Sequence, residues 1–321
     1  MSQSTEIIGM LHIPINTILA APQAWRQALG LPSPAAQDWQ IIDALYGKGF
    51  GEVETMRTFI RSLSFYPFLR QRMLEEAAIY DAHHFDSLML ENVGAPYFSG
   101  SDNPVIIPAV MYFLAEELRR TFPTRRLGIQ ILAFGENLAM QIALTHRFQF
   151  IRCESALFQG LRPEGPTPNA GNLASLYFAR NRISAHLGTD PAEPKVYVDL
   201  QKKHTIFAEA LQDLKIWLDN IGFAKLEGII LTGTATGEAV DETQLIQTCK
   251  FLDELHTRLP SADLPAIPLI IGSGVTPPNL ATYAKYADKI IVGSSVKEKG
   301  NWENPVAPEC VSAFAEAMSS K

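Results

Sequence analysis

The sequence is short of cysteine, of long apolar runs and of positive charge. The three cysteines Cys153, Cys249 and Cys310 are an odd number without a C-x-x-C pair, so neither a disulfide scaffold nor a zinc site is supported. No run approaches the ~18 apolar residues of a membrane span, and the amino terminus lacks a basic segment followed by an apolar one. We therefore expect a cytoplasmic protein without a transmembrane segment, and peripheral membrane association stays open.

Acidic residues outnumber basic ones by 34 to 27, which gives a formal net charge of −7. Nucleic acid and anionic membranes attract proteins with a clustered positive surface, so no nucleic-acid partner is expected. The one dense basic run, "LRRTFPTRR", is interpreted as a helix end and the solvent-facing loop after it.

Apolar residues make up 47% and charged residues 19% of the 321 residues, which favours a folded globular chain with a large core. Eight apolar runs of strand length recur along the chain. The runs are Ile7–Ile13, Ser87–Asn92, Leu127–Leu132, Phe150–Glu154, Val196–Leu200, Gly228–Gly233, Pro268–Ser273 and Lys289–Ser295.

Segments with helical periodicity, such as "VIIPAVMYFLAEELRR" and "TIFAEALQDLKIWLDNIG", separate these runs. Apolar strands that alternate with amphipathic helices predict a parallel sheet covered by helices. Eight such units close most simply into an α/β fold of the (β/α)₈ TIM-barrel type, with a doubly wound open sheet as the lesser alternative. We predict one domain over residues 1–321.

Two connections are too long for ordinary turns. The first, about residues 14–70, carries its own helical patches and is predicted to be a helical insertion after strand one. The second, residues 155–172, is rich in proline and glycine. Both follow a strand and would lie at the catalytic face of a barrel, where long loops often act as lids. A packing or subunit-contact role for the first is an equal alternative, and a homo-oligomer is expected.

The last two strands both end in glycine and serine. Strand ends seven and eight are neighbours at the top of a barrel, where backbone N–H groups can hold a phosphate. Glycine allows close approach of the backbone, and serine adds a hydroxyl donor. Thr276 followed by Pro277 suits a helix start. The residues predicted to bind phosphate are Gly272, Ser273, Gly274, Gly293, Ser294 and Ser295.

Polar residues also end two earlier strands. Glu91 and Asn92 end strand two, and because side chains alternate, one of them should point into the barrel mouth; Glu91 is preferred. Asp199, Lys203 and His204 lie in "VDLQKKHT" after strand five, a density of polar groups that packing does not require. We predict that Glu91, Asp199, Lys203 and His204 transfer protons or orient a substrate. Glu91 could instead cap a helix or form a salt bridge, and Lys203 and His204 could simply open a solvent-facing helix.

Other strand ends add candidate ligand-binding residues. These are His12 after strand one, Asn92 after strand two, and Thr232, Gly233 and Gly237 after strand six. Glu91, Glu154 and Asp199 could converge as carboxylate ligands of a divalent cation such as Mg²⁺, although separate strands cannot establish convergence. No cofactor is expected to be required.

With these motifs laid out, the chain resembles the BtpA family, which is named for a photosystem I biogenesis factor. The motifs that carry the resemblance are "IGMLHIP", "DSLMLENVGAPYF", "VDLQKKH", "GIILTGTATGEAVD" and "IIGSGVTPPNLATYAKYADKIIVGSSVKEKGNWENPV". They span nearly the whole chain. The family is similar to phosphate-binding TIM barrels, so the resemblance implies that fold and an anion site.

The chain departs from the family pattern at three points. Gln201 stands where family members tend to have a histidine, and "QILAFGEN" replaces an N-x-L-R-N-D-like segment after strand three. The first loop is also a few dozen residues longer. A diverged substrate or a loss of activity would follow from such changes.

The sequence leads to two main hypotheses of function. In the first, the chain is an enzyme or a former enzyme that binds a small phosphorylated metabolite, such as a sugar phosphate or a nucleotide; a binding-only sensor is a variant of it. In the second, implied by the resemblance, it is a non-catalytic biogenesis factor for a membrane protein complex such as photosystem I.

Overall fold

Eight parallel strands close into a barrel in the computed structural model, which describes residues 5–48, 53–94, 98, 105–154, 156–163, 165–166, 173–233, 239–258 and 266–319. The barrel order is β1-β8-β7-β6-β5-β4-β3-β2. The strands are β1 (Glu6–Ile13), β2 (Ser87–Asn92), β3 (Arg126–Gln130), β4 (Phe150–Cys153), β5 (Lys195–Asp199), β6 (Ile229–Leu231), β7 (Leu269–Ile271) and β8 (Lys289–Val292). The predicted barrel is confirmed, and the open sheet is excluded.

Helices cover the barrel. Between β1 and β2 lie α1 (Ile15–Ala20), α2 (Gln23–Ala28), α3 (Ala36–Lys48), α4 (Val53–Ser62) and α5 (Tyr66–Ala82). The later helices are α6 (Ile106–Thr121), α7 (Glu136–Thr145), α8 (Leu173–Leu187), α9 (Leu214–Ala224), α10 (Glu242–Arg258), α11 (Pro277–Tyr283) and α12 (Pro308–Ser319). No helix among the described residues is both long enough and apolar enough to cross a membrane.

Two apolar layers hold the barrel together, because alternate side chains of a strand point to opposite faces. The larger layer fills the space between strands and helices. The smaller one fills the barrel interior and consists of Ile8, Met10, Met89, Phe150, Tyr197, Ile230, Ile270 and Ile291. This inner layer closes the barrel below its carboxyl-terminal end, so the next inward side chain of each strand lies above it.

The first long connection forms the predicted helical insertion and packs against α6. Arg57 and Arg61 of α4 bond to Glu116 and Glu117 of α6 at 2.7 and 2.8 Å, and Ile60 between them is fully buried. The part of the insertion that the structure describes contributes no side chain to the cavity described below. Its position favours the packing alternative over a lid.

The described part of the second connection forms a small antiparallel pair, Leu161–Arg162 with Gly165–Pro166. The backbone N–H of Leu161 donates to the carbonyl of Ile206 at 2.8 Å, and the reverse bond has the same length. This second loop is thereby tied to the loop after β5. The tie holds Arg162 beside the barrel mouth.

Candidate functional site

A cavity of about 800 Å³ opens at the carboxyl-terminal end of the barrel. Its wall contains the inward residues that lie two positions beyond the apolar inner layer. His12 follows Met10, Glu91 follows Met89, Gly272 follows Ile270, and Gly293 follows Ile291. The alternation of strand residues therefore places four of the predicted site residues in one cavity. The last residues of the predicted runs are no longer paired in the sheet at this end, so β6 and β7 are shorter than predicted.

His12 and Glu91 form a buried pair on neighbouring strands. They are register partners of β1 and β2, and His12 Nε2 lies 3.3 Å from Glu91 Oε2. His12 Nδ1 lies 3.1 Å from the carbonyl oxygen of Trp302. A carbonyl oxygen only accepts hydrogen bonds, so Nδ1 must carry the hydrogen in this contact. A neutral His12 then presents the lone pair of Nε2 to Glu91.

The charge states of His12 and Glu91 allow the pair to bind one proton. Burial lowers the pKa of His12, against the opposing hydrogen bond to Glu91. Burial alone would raise the pKa of Glu91, but the bond to His12 and the charges of Arg152 and Lys202 hold that pKa below its ordinary value. With Nδ1 bonded to the Trp302 carbonyl, the contact between His12 Nε2 and Glu91 needs one further hydrogen to become a hydrogen bond. Such a pair can take up one proton from a bound molecule, which is the task of a general base.

The loop after β8, residues 293–307, positions the Trp302 carbonyl. An antiparallel bridge between Lys297 and Val306 closes this loop. Beneath it, Lys297 Nζ donates to Glu76 at 2.6 Å, and Arg72 bonds to both Glu76 (3.0 Å) and the carbonyl of Glu303 (2.9 Å). We call Arg72, Glu76 and Lys297 the strap cluster. Because Arg72 and Glu76 lie on α5 and Lys297 lies in the loop itself, the cluster ties this loop to α5.

A second group of buried charges lies in and directly beneath the cavity wall and is called the cavity cluster. Arg152 bonds to both oxygens of Asp199, at 2.8 and 3.0 Å. Lys202 lies 3.2 Å from Asp199 and 3.3 Å from Glu154. Arg162 donates to Glu154 at 2.9 Å. These five side chains form an alternating chain of charges that joins β4, β5 and the second long connection.

The proton-transfer role predicted for Asp199 does not fit this geometry. Asp199 lies beneath the cavity wall with 1% of its surface exposed. Burial would raise its pKa, but the charges and hydrogen bonds of Arg152 and Lys202 prevail and lower the pKa to about 2. A carboxylate held so strongly in its charged form is a poor acid or base near neutral pH. Asp199 instead positions Arg152 and Lys202.

The predicted carboxylate metal site also does not fit. Each of the three carboxylates already contacts a side chain that carries or accepts a proton: Glu91 contacts His12, Glu154 contacts Arg162 and Lys202, and Asp199 contacts Arg152. Within the described ranges, no three His, Cys, Asp or Glu side chains are grouped as a metal ion would require. The positions that Mg²⁺ would occupy face guanidinium and ammonium groups, which repel it.

Lys203 and His204 both lie in the cavity wall, as predicted. Lys203 is partly exposed, and no carboxylate among the described residues lies within ion-pair distance of its ammonium group. His204 is exposed and has a left-handed backbone with φ of 60°. Gln201 faces away from the cavity wall: its amide donates to the carbonyls of Leu211 and Gln212.

The predicted phosphate loops form a further part of the cavity wall, which contains Gly272, Ser273, Gly274, Gly293, Ser294 and Ser295. Gly274 has φ of 74°, which few residues with a side chain adopt. A Cβ on Gly293 would lie 3.2 Å from His12 Cε1, so a larger residue there would have to displace the His12 ring by a few tenths of an ångström.

Hydrogen-bond donors are available along this wall. Ser294 and Ser295 open a 3₁₀ turn (Ser294–Val296), so their backbone N–H groups have no carbonyl partner within the turn. The hydroxyl of Ser295 is buried without a hydrogen-bond partner in the described structure. Thr276 begins α11 ahead of Pro277, as predicted, and its N–H donates to Asn279 Oδ1 at 2.7 Å.

Four predicted ligand-binding residues do not lie in the described cavity wall. The Asn92 amide bonds to both backbone groups of Leu132 at 2.7 Å and to Asn16 at 3.1 Å, so it ties strand ends together. Thr232 and Gly233 lie behind the wall, where the Gly233 N–H donates to Ser273 Oγ at 3.0 Å. Gly237 lies outside the described residues.

Sequence reasoning did not select Arg152, Arg162, Lys202 and Trp302, although all four line the cavity. A detectable signal existed for Arg152, because an arginine within the apolar strand "FIRC" must be paired once buried. No local signal identified Arg162 or Trp302, because each reaches the cavity through the course of a loop.

The family model of the BtpA family matches residues 69–320. The chain belongs to the BtpA family. Among its relatives is an uncharacterised mitochondrial protein of Caenorhabditis elegans, 26% identical over 78% of this chain and 84% of that protein. Another is the photosystem I biogenesis protein BtpA of Synechocystis, 26% identical over 78% of this chain and 79% of that protein.

Solved structures similar to this chain include N-(5'-phosphoribosyl)anthranilate isomerase from Pyrococcus furiosus. It is 15% identical, with a TM-score of 0.44, over 77% of this chain and 94% of the isomerase chain.

Proposed function

We propose that this BtpA-family protein binds a small phosphorylated metabolite, such as a sugar phosphate or a nucleotide, in the cavity at the carboxyl ends of the strands. We further propose that it is an enzyme, or a former enzyme, that transfers a proton to or from this molecule. The observation that carries the proposal is a surplus positive charge in a cavity of an otherwise acidic protein.

The surplus follows from the charged side chains of the described site. Arg152, Arg162, Lys202 and Lys203 are four cations, whereas Glu91, Glu154 and Asp199 are three carboxylates. His12 adds no charge in its neutral form. The remaining positive charge resides on Lys203, the cation without an ion-pair partner in the described site. In a chain of net charge −7, such a local excess favours an anionic ligand.

The part of the cavity wall formed by the glycine and serine loops supports phosphate in particular. Phosphate accepts several hydrogen bonds at once, and backbone N–H groups at strand ends are suited to donate them. The N–H groups of Ser294 and Ser295 and the unpaired Ser295 hydroxyl could supply three donors. The His12–Glu91 pair adjoins this wall through Gly293, so an atom near the phosphate would be within reach of the proposed base.

A thermal-shift screen of phosphorylated metabolites tests the proposal, with and without Mg²⁺. A ligand that binds only the folded state raises the melting temperature, and at 100 times its Kd it stabilises by about 2.7 kcal/mol. Gly274→Asp and Gly274→Asn form a matched pair, because both side chains tolerate the positive φ but only aspartate repels phosphate. We expect the wild type and the Asn variant to respond and the Asp variant to lose the response.

The assembly-factor hypothesis is the second proposal. The name of the Synechocystis relative supports it, and the insertion supplies an apolar surface, since Trp25 and Trp39 are 39% and 44% exposed. If no metabolite raises the melting temperature of the wild type, this hypothesis takes first place. Self-association and cytoplasmic location remain predictions, which size-exclusion chromatography with light scattering and cell fractionation would check.

A further inference from the structure

Lys203 differs from the other cations of the site in what surrounds it. Lys202 and Arg152 are both bonded to Asp199. Lys203 lies beside these two cations in the cavity wall, and the described residues offer its ammonium group no carboxylate at ion-pair distance. Lys203 therefore lines the cavity with an amine that has no ion-pair partner in the described site.

The same surroundings favour the neutral amine. Burial and the charges of Lys202 and Arg152 lower the pKa of Lys203 to about 8, against the weaker opposing effects of Glu91 and Asp199. At pH 7 roughly one Lys203 in ten is then neutral, compared with about one in 2,500 for a lysine with an ordinary pKa. Nearby cations and partial burial are known ways to activate a lysine nucleophile.

We propose that Lys203 forms an imine with the carbonyl group of a phosphorylated aldehyde or ketone. This inference rests on the proposed function for the phosphate part of the ligand and adds the reactive group. The neutral Nζ adds to the carbonyl carbon and gives a carbinolamine. A proton moves from the nitrogen to the oxygen in this step. The hydroxyl then takes up one further proton and leaves as water, while the nitrogen lone pair forms the protonated C=N bond.

The His12–Glu91 pair can move the required protons. Its proton-binding position lies in the same cavity wall as Lys203, and Glu91 is close enough to affect the charge state of Lys203. Imine formation makes the adjacent carbon more acidic, because the protonated C=N group accepts electrons from it. A base beside that carbon could then remove a proton, which is the chemistry proposed for Glu91 and His12.

Reductive trapping tests the inference. The full-length protein is incubated at pH 7 with glyceraldehyde 3-phosphate and sodium cyanoborohydride, which reduces an imine to a stable secondary amine. Peptide mapping by mass spectrometry then gives the rate of modification at each lysine. We expect Lys203 to be modified at least ~10-fold faster than the exposed Lys285, with a rate that levels off above about pH 8. Equal rates at the two lysines would overturn the inference.

Two controls separate this inference from the proposed function. Lys203→Arg keeps the positive charge but cannot form an imine, so it should retain the thermal shift with glyceraldehyde 3-phosphate and lose the adduct at residue 203. A thermal shift of the wild type without a preferred adduct would reject the imine and leave phosphate binding intact.

Glyceraldehyde without phosphate provides the second control. It should modify Lys203 about tenfold more slowly than the phosphate ester, because the phosphate contributes binding. If both aldehydes modify Lys203 equally fast, the imine stands and the phosphate site fails. If neither a shift nor an adduct is found, both proposals fail.

Discussion

The strap cluster and the cavity cluster are both buried groups of charges, but they differ in what they leave unpaired. In the strap cluster, Lys297 is fully buried and bonded to Glu76, and Arg72 bonds to Glu76 and to a backbone carbonyl. The cavity cluster opens to the barrel mouth and lies beside Lys203, which has no ion-pair partner in the described site. A cluster whose charges are all paired can only stabilise the fold, whereas a cluster that lies beside an unpaired cation can also bind a ligand.

The largest expected effect comes from breaking the closed cluster. Lys297→Met leaves Glu76 buried with Arg72 as its remaining ion-pair partner in the described structure, and we expect a loss of about 3–5 kcal/mol in the free energy of unfolding. Urea denaturation measures it. The double variant Glu76→Gln/Lys297→Met removes the buried charge as well and should lose less than the sum of its two single variants. Additive losses would contradict an ion-pair role.

An intermediate effect is expected from the acid sensitivity of the cavity cluster. The pKa of Asp199 falls from 3.8 to about 2 on folding. This stabilisation is present above pH ~4, is lost as the pH falls toward 2, and amounts to about 2 kcal/mol.

Urea unfolding of the wild type and Asp199→Asn between pH 2 and pH 6 measures this effect. The variant should be less stable near pH 6, and the difference should shrink as the solution is acidified. If the difference in the free energy of unfolding stays constant with pH, the charge of Asp199 does not contribute to stability.

The smallest effect on stability is expected for Lys203, although its effect on binding is large. Lys203→Met removes a cation that faces Lys202 and Arg152, so the free energy of unfolding should stay within about 1 kcal/mol of the wild type or rise. Affinity for a phosphorylated ligand should fall about tenfold, because the surplus charge is gone. Calorimetry measures the affinity.

Lys215→Met is the matched control. Lys215 is 65% exposed and pairs with Asp219 on α9, so its loss should change neither stability nor ligand affinity appreciably. A loss of stability in Lys203→Met as large as in Lys297→Met would remove the distinction between the two clusters.

The strand-end residues show how far sequence reasoning reached into the site. His12, Glu91, Gly272 and Gly293 were predictable because strand alternation puts every second residue on the inner face. Asn92 was misplaced as a ligand-binding residue for the same reason, since it is the neighbour that alternation directs outward. The role of Asp199 was not predictable, because it depends on Arg152 from a different strand.

The sequence by itself determined the barrel, because apolar runs of strand length that alternate with amphipathic helices can bury their surfaces in few other ways. It also determined which strand-end residues share the inner face. Only the tertiary structure decided which charges meet. Loops brought Arg162 and Trp302 to the cavity, and the pairing of β4 with β5 set Arg152 against Asp199. These contacts join residues far apart in the chain, and side-chain charges interact according to distance in space rather than in sequence.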